Sequence, residues 1–142
     1  MSWLPKSNVV VPVDFSDDSF AAIDVALDLV EGTSGVHLIH VLPQMLPMDP
    51  GVVWDTVDDS SRQDHAEDAL RAKLKGDAYE GVNVAVVIGD PGHEIANFAA
   101  SVNAETIVLP SHGRSALKRL LIGSVAERVV RLAHCPVLVL KQ

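Results

Sequence analysis

Short apolar runs alternate along this chain with longer segments whose apolar residues recur every three or four positions. The first run, Val9-Val10-Val11-Pro12-Val13, is continuous, as in a strand buried on both faces. The period then changes: over residues 17–30, Phe20, Ile23, Ala26, Leu27 and Val30 fall at helical spacing. Asp17 and Asp18 suit the first turn of that helix, and Gly32 suits its end. Residues 36–42 form a second strand. Residues 43–56 hold three prolines, two methionines and a tryptophan with no clear period, so they read as a long loop.

The alternation continues to the end of the chain. A charged helix is predicted over residues 58–79, with Ala66, Leu70, Lys73 and Leu74 along one face. Residues 82–88 are a third strand, and Gly89-Asp90-Pro91-Gly92 turns into a helix reaching about residue 102, with Pro91 in its first turn. Residues 106–109 are a fourth strand and 110–122 a loop with some helical turn. Residues 124–133 are a last helix and 136–140 a fifth strand. Strand–helix alternation throughout predicts one α/β domain over residues 1–142, with a five-stranded parallel sheet and helices on both faces.

Composition narrows the classes. The 142 residues are 48% hydrophobic and 21% charged, which is globular, while aromatics are only 4%. The core must therefore be aliphatic. A formal net charge of −8 works against binding nucleic acid or an anionic membrane. A phosphate ligand would have to be held locally, by backbone N–H groups and a few basic residues. Cys135, the single cysteine, precedes Pro136 and an apolar run, and reads as a small buried hydrophobe. The N-terminal residues do not have the form of a signal peptide, and no apolar run approaches the ~18 residues of a membrane span. A cytoplasmic protein is the expectation.

In open α/β sheets, ligands bind beyond the carboxyl ends of the strands where the strand order reverses. Three such ends stand out. One is Pro12-Val13-Asp14, and the second is Val41-Leu42. The third is the loop Pro110-Ser111-His112-Gly113-Arg114-Ser115, followed by Gly123-Ser124 at a helix start. Gly113 permits close approach of a ligand, and the helix start favours an anion. Arg114, Lys118 and Arg119 add positive charge, so the segment reads as a phosphate cradle. The same residues read equally well as a turn glycine, a Ser124 N-cap and a solvated basic face. Asp14 either caps the next helix or, if Ser16 does so, faces the cleft.

Several chemistries lack their signatures. The chain has no Gly-x4-Gly-Lys-Ser/Thr loop, no Gly-x-Gly-x-x-Gly after the first strand, and no Gly-x-Ser-x-Gly elbow. No base stands against a nucleophile in a recognisable pattern, so no catalytic residue is assigned. The histidines do not have metal-ligand spacing, and His37 and His40 fall on opposite faces of a strand.

The run Leu109-Pro-Ser-His-Gly-Arg-Ser-Ala-Leu-Lys-Arg-Leu-Leu-Ile-Gly-Ser-Val-Ala-Glu-Arg-Val-Val-Arg-Leu-Ala-His-Cys-Pro-Val-Leu-Val-Leu140 resembles the C-terminal signature of universal stress proteins. Val11-Pro-Val-Asp-Phe-Ser16 and the strand ending His40-Val41 are similar to the family's first two strands. Its nucleotide-binding members carry Gly-x2-Gly-x9-Gly-Ser/Thr, to which Gly113, Gly123 and Ser124 correspond. Pro110 stands where the first glycine is expected, and has no N–H to donate. The resemblance implies strand order 3-2-1-4-5 and a site for ATP or AMP. Asp14 and the Val41 backbone would hold adenine, and Pro12 and Val13 would line its pocket. Gly113, Arg114, Ser115, Ser124 and Val125 would hold ribose and phosphates, with Pro110, Ser111 and His112 in the same loop. Mg²⁺ or Mn²⁺ would bind through the phosphates. The resemblance also implies a homodimer joined through Val137–Leu140, an apolar edge strand that needs cover, and a role exercised through protein partners. Two alternatives stand beside this nucleotide-responsive protein: a slow ATPase or autophosphorylating enzyme, and an interaction module that binds no nucleotide. The absence of an identifiable base argues against the first, and Pro110 argues for the second.

Overall fold

The structure is a computed structural model that describes residues 3–45, 58–111 and 122–141. Its strands are β1 (Val9–Pro12), β2 (Val36–Leu42), β3 (Asn83–Ile88), β4 (Thr106–Pro110) and β5 (Val137–Leu140). The helices are α1 (Asp17–Leu29), α2 (Asp59–Lys73), α3 (Pro91–Ser101) and α4 (Ser124–Leu132). The strands form one five-stranded sheet in the order β3-β2-β1-β4-β5, and every pairing is parallel. This is the expected architecture and order.

Side chains alternate between the two faces of the sheet and build two aliphatic cores. Val9, Val11, Val13, Val36, Leu38 and Val108 face α1 and α2, where they meet Ala22, Ile23, Ala26 and Leu70. Val10, Ile39, Ile107 and Leu109 face α3 and α4, against Ile95, Ala99, Ala126 and Val129. Each fully buried side chain of this size contributes roughly 1.5–3 kcal/mol relative to exposure, so both layers are needed. Small residues on α1 and α3 bring those helices close to β-branched strands. His37 and His40 do fall on opposite faces: the His37 ring lies 6.4 Å from Phe98 of α3, and the His40 ring 4.9 Å from Phe15.

Helix starts follow their caps. Ser16, Asp58 and Asp90 each accept a first-turn backbone N–H with the side chain, for α1, α2 and α3 respectively. Pro91 occupies the first turn of α3, as expected.

Several boundaries differ from the sequence reading. The helix expected over residues 58–79 ends at Lys73, because Leu74 leaves helical backbone at φ −101° and ψ 65°, and after Gly76 at φ 112° a separate 3-10 turn covers Asp77–Tyr79. Of the face expected along it, Leu70 alone is fully buried within the helix. α2 is also tied to the sheet by Gln63 Nε2, which donates to the Val86 carbonyl at 2.9 Å. α1 stops at Leu29, before Gly32, because Val30 turns extended and makes a parallel bridge with Lys6. β4 runs one residue further than expected and includes Pro110, paired with Leu140. Most of the loop 43–56 lies outside the described residues. No helix among the described residues is long and apolar enough to cross a membrane.

Candidate functional site

Strand order reverses between β1 and β4, since β2 and β3 lie to one side of β1 while β4 and β5 lie to the other. The ladders show what this does at the carboxyl end. β1 pairs with β2 as far as Pro12↔Ile39, and the Val13 N–H continues the ladder to the Ile39 carbonyl at 2.8 Å. β1 pairs with β4 only through Val9↔Thr106 and Val10↔Ile107. Neither Pro12 nor Pro110 has an N–H for a further rung. The sheet therefore opens between β1 and β4 at the end where the sequence placed the site, as a crevice does at a topological switch point.

One wall of this crevice is the turn from β1 into α1. Val13 is buried, and Asp14 and Phe15 are half-buried. Asp14 does not simply face the cleft. Its Oδ1 accepts the Ser16 N–H at 3.0 Å and the Ser16 hydroxyl at 2.5 Å. Ser16 is indeed the cap of α1, its Oγ accepting the Ser19 N–H at 3.1 Å, and Asp14 orients that cap. Phe15 adopts φ 64°, a left-handed conformation that a bulky residue holds only under constraint. Val41 stands near the end of β2, paired with Val87, its side chain half-buried against the α3–α4 core.

The other wall is the end of β4 and the start of α4. Ser111, 3% exposed, donates its N–H to the Leu140 carbonyl at 2.9 Å, and its own carbonyl accepts the Gly123 N–H at 2.5 Å. The loop thus leaves and re-enters at a closed backbone junction. His112, Gly113, Arg114 and Ser115 lie outside the described residues, as do Lys118 and Arg119.

Gly123 itself is the N-cap of α4, so Ser124 is the first helical residue and not the cap. Gly123 has φ −73° and ψ 163°, which any residue adopts, so glycine is not demanded there by the backbone. Having no side chain, it does not cover the first turn as Ser16, Asp58 and Asp90 cover theirs. Ser124 and Val125 are exposed on that turn, whose N–H groups and positive dipole end suit an anion. Further along α4 the positive charge is already partnered. Arg128 lies 3.7 Å from Asp90 and 3.4 Å from the His93 ring, and Arg131 lies 2.6 Å from Glu127.

Sequence reasoning missed two residues at this end. Phe15 gave no signal, since phenylalanine does not favour positive φ. His40 carried a faint one, being a polar residue on the buried-face alternation of Val36 and Leu38. Its Nδ1 lies 2.6 Å from the Val13 carbonyl oxygen. Among the described residues no group of three or more His, Cys, Asp or Glu side chains is placed to hold a metal ion. Burial pushes the Cys135 thiol above its usual pKa, as befits a half-buried packing residue.

A parallel five-stranded sheet whose strand order reverses between β1 and β4, with helices on both faces, defines a doubly wound α/β protein. The chain belongs to the universal stress protein family, whose sequence profile matches residues 6–141. It is 33% identical to a universal stress protein of Methanocaldococcus jannaschii over 141 residues, which span 94% of this chain and 81% of that protein. Among solved structures it is similar to the universal stress protein UspA from Lactobacillus plantarum. The TM-score is 0.73 and the identity 26%, over 94% of this chain and 97% of that one. It also shares its fold with a universal stress protein from Archaeoglobus fulgidus in complex with dAMP. There the TM-score is 0.54 and the identity 22%, over 96% and 98% of the two chains.

Proposed function

We propose that this protein binds an adenine nucleotide, ATP or AMP, in the crevice between β1 and β4 and acts as a dimeric, ligand-dependent module of the stress response in the cytoplasm. The observation that carries the reading is the opening of the sheet between β1 and β4 beside a helix start that lacks a side-chain cap. Membership of the family supports it, as does the dAMP held by a protein of the same fold. In this reading Val13, Asp14 and the Val41 backbone take the base, lined by Pro12. The loop through Pro110, Ser111, His112, Gly113, Arg114 and Ser115, together with Gly123, Ser124 and Val125, takes ribose and phosphates. Mg²⁺ or Mn²⁺ would ride on the phosphates.

Dimerisation is proposed through β5. Both edge strands are half-buried along most of their length, but β3 has its Val86 carbonyl occupied by Gln63 and α2 beside it. A second chain pairing along β5 would complete the cover.

Mass spectrometry of the freshly purified protein, with a melt in millimolar ATP and Mg²⁺, tests the nucleotide reading. Carried adenine nucleotide is the expected finding. Ligand at 100 times its dissociation constant stabilises by about 2.7 kcal/mol, which raises the melting temperature on the order of 8 °C for a domain this size. No carried nucleotide and no shift would leave an interaction module in its place. Steady phosphate release from ATP would make it an enzyme.

A further inference from the structure

We propose that His40 is a positioning residue for the nucleotide site, setting the conformation of the β1–α1 turn that presents Val13 and Asp14. The inference rests on the nucleotide reading above and concerns a residue which that reading leaves without a role.

The turn is held in an unusual shape. Phe15 sits at φ 64°, and non-glycine residues in that region persist only where their surroundings over-determine them. Four contacts do so, and His40 makes two of them. The Val13 N–H is fixed by the Ile39 carbonyl at 2.8 Å. The Val13 carbonyl lies 2.6 Å from His40 Nδ1. A carbonyl oxygen only accepts, so the imidazole proton sits on Nδ1, in the neutral ring and in the imidazolium alike. The Phe15 ring meets the His40 ring edge-on, at 4.9 Å between centroids and 85° between planes, and meets Phe20 at 6.3 Å and 72°.

One imidazole therefore grips the residue before Asp14 by its backbone and the residue after it by its side chain. Val13 is held on both peptide groups by β2, one bond from the backbone of Ile39 and one from the side chain of the next residue. With Val13 and Phe15 set, the Asp14 carboxylate is left on the Ser16 cap, with Oδ1 taking both the N–H and the hydroxyl. Without the imidazole, the peptide after Val13 loses its hydrogen bond to β2 and Phe15 loses one of its two ring contacts, so both are held less firmly. The carboxylate and the Val13 wall would then move away from the place the base must occupy. Affinity would fall because the turn must be reordered before it can bind, although His40 itself need not touch ligand.

Two near-isosteric amides separate this role from mere packing. In His40→Asn the amide nitrogen falls where Nδ1 is and can still donate to the Val13 carbonyl. In His40→Gln it falls near Nε2 and cannot. Both keep a polar side chain of similar size, so neither empties the fold. The probe is ATP with Mg²⁺, titrated calorimetrically into the wild-type protein and both variants, each first checked for a cooperative melt. His40→Asn is expected to bind within about threefold of wild type, and His40→Gln about tenfold more weakly than His40→Asn, the scale of one lost hydrogen bond. Equal affinities for the two variants would overturn the positioning role while leaving the nucleotide reading intact. A wild-type protein that binds no ATP would instead overturn the nucleotide reading, and this inference with it.

Discussion

Phe15 permits a prediction that runs against the ordinary ranking of glycine and alanine. Two effects compete when its side chain is removed. The ring is half-buried and packs against Phe20 and His40, so truncation removes roughly half of the ~3–5 kcal/mol that a fully buried phenylalanine loses on going to alanine. Both Phe15→Ala and Phe15→Gly incur that loss. They differ at the backbone, because φ 64° costs an L-residue ~1–2 kcal/mol that glycine does not bear. Against this, glycine gives the unfolded chain extra freedom, worth ~0.4–1 kcal/mol. The backbone effect is the larger, leaving Phe15→Gly more stable than Phe15→Ala by about 0.5–1 kcal/mol. In absolute terms Phe15→Ala should lose about 1.5–2.5 kcal/mol and Phe15→Gly about 0.5–2. Urea unfolding of all three proteins at one fixed concentration, with equal slopes verified, measures the difference. A Phe15→Ala protein as stable as Phe15→Gly, or more so, would show that the turn relaxes out of positive φ at no cost and that no strain is stored there.

Two further outcomes follow from the packing. Leu70→Ala removes the one fully buried side chain within α2, at about 3 kcal/mol. Amide exchange in α2 should accelerate while β1 stays protected, and a uniform loss across the sheet would contradict the separate anchoring of that helix. Burial holds the His37 imidazole below its ordinary pKa of 6.5. The unfolded chain therefore binds the proton first as pH falls, so stability due to neutral His37 is complete above about pH 6.5 and is lost as pH drops through the folded value. Unfolding free energies at pH 7.5, 6 and 5 should decline less for His37→Gln than for wild type, and parallel declines would refute the assignment.

The order of elements was legible because two periods alternate cleanly: Val9, Val10 and Val11 cannot suit a half-exposed helix, and Ile23, Ala26 and Val30 cannot suit a strand. Ser16 and Pro91 marked helix starts by local chemistry that survives in any context. The end of α2 was not legible, since Leu74 and Tyr79 prolong an apparently apolar face and only the backbone shows Gly76 turning at φ 112°. At the carboxyl end of the sheet, the ends of β1 and β4 were placed to within one residue, because each apolar run stops where its strand does. What Asp14 does was not, because Ser16 and Asp14 can each take the part of the cap and the structure uses both, one orienting the other. Ser124 looked like a cap by residue type. The cap is instead Gly123, one residue earlier, whose N–H is already committed to the Ser111 carbonyl, and Ser124 is the first helical residue.

That last detail sharpens the measurement which bears most directly on the nucleotide site. Valine at position 123 fits φ −73° and ψ 163°, so Gly123→Val places a branched side chain at the head of α4 without demanding a new backbone. Ser124→Ala removes a hydroxyl and leaves the first-turn N–H groups and the dipole in place. In calorimetric titrations with ATP and Mg²⁺, the wild-type chain is predicted to bind. Ser124→Ala should bind about fivefold more weakly, a loss of ~1 kcal/mol, and folded Gly123→Val should show no detectable binding. A well-folded Gly123→Val protein that binds ATP as tightly as wild type would mean that phosphates do not rest on the start of α4, and the site would have to be sought elsewhere.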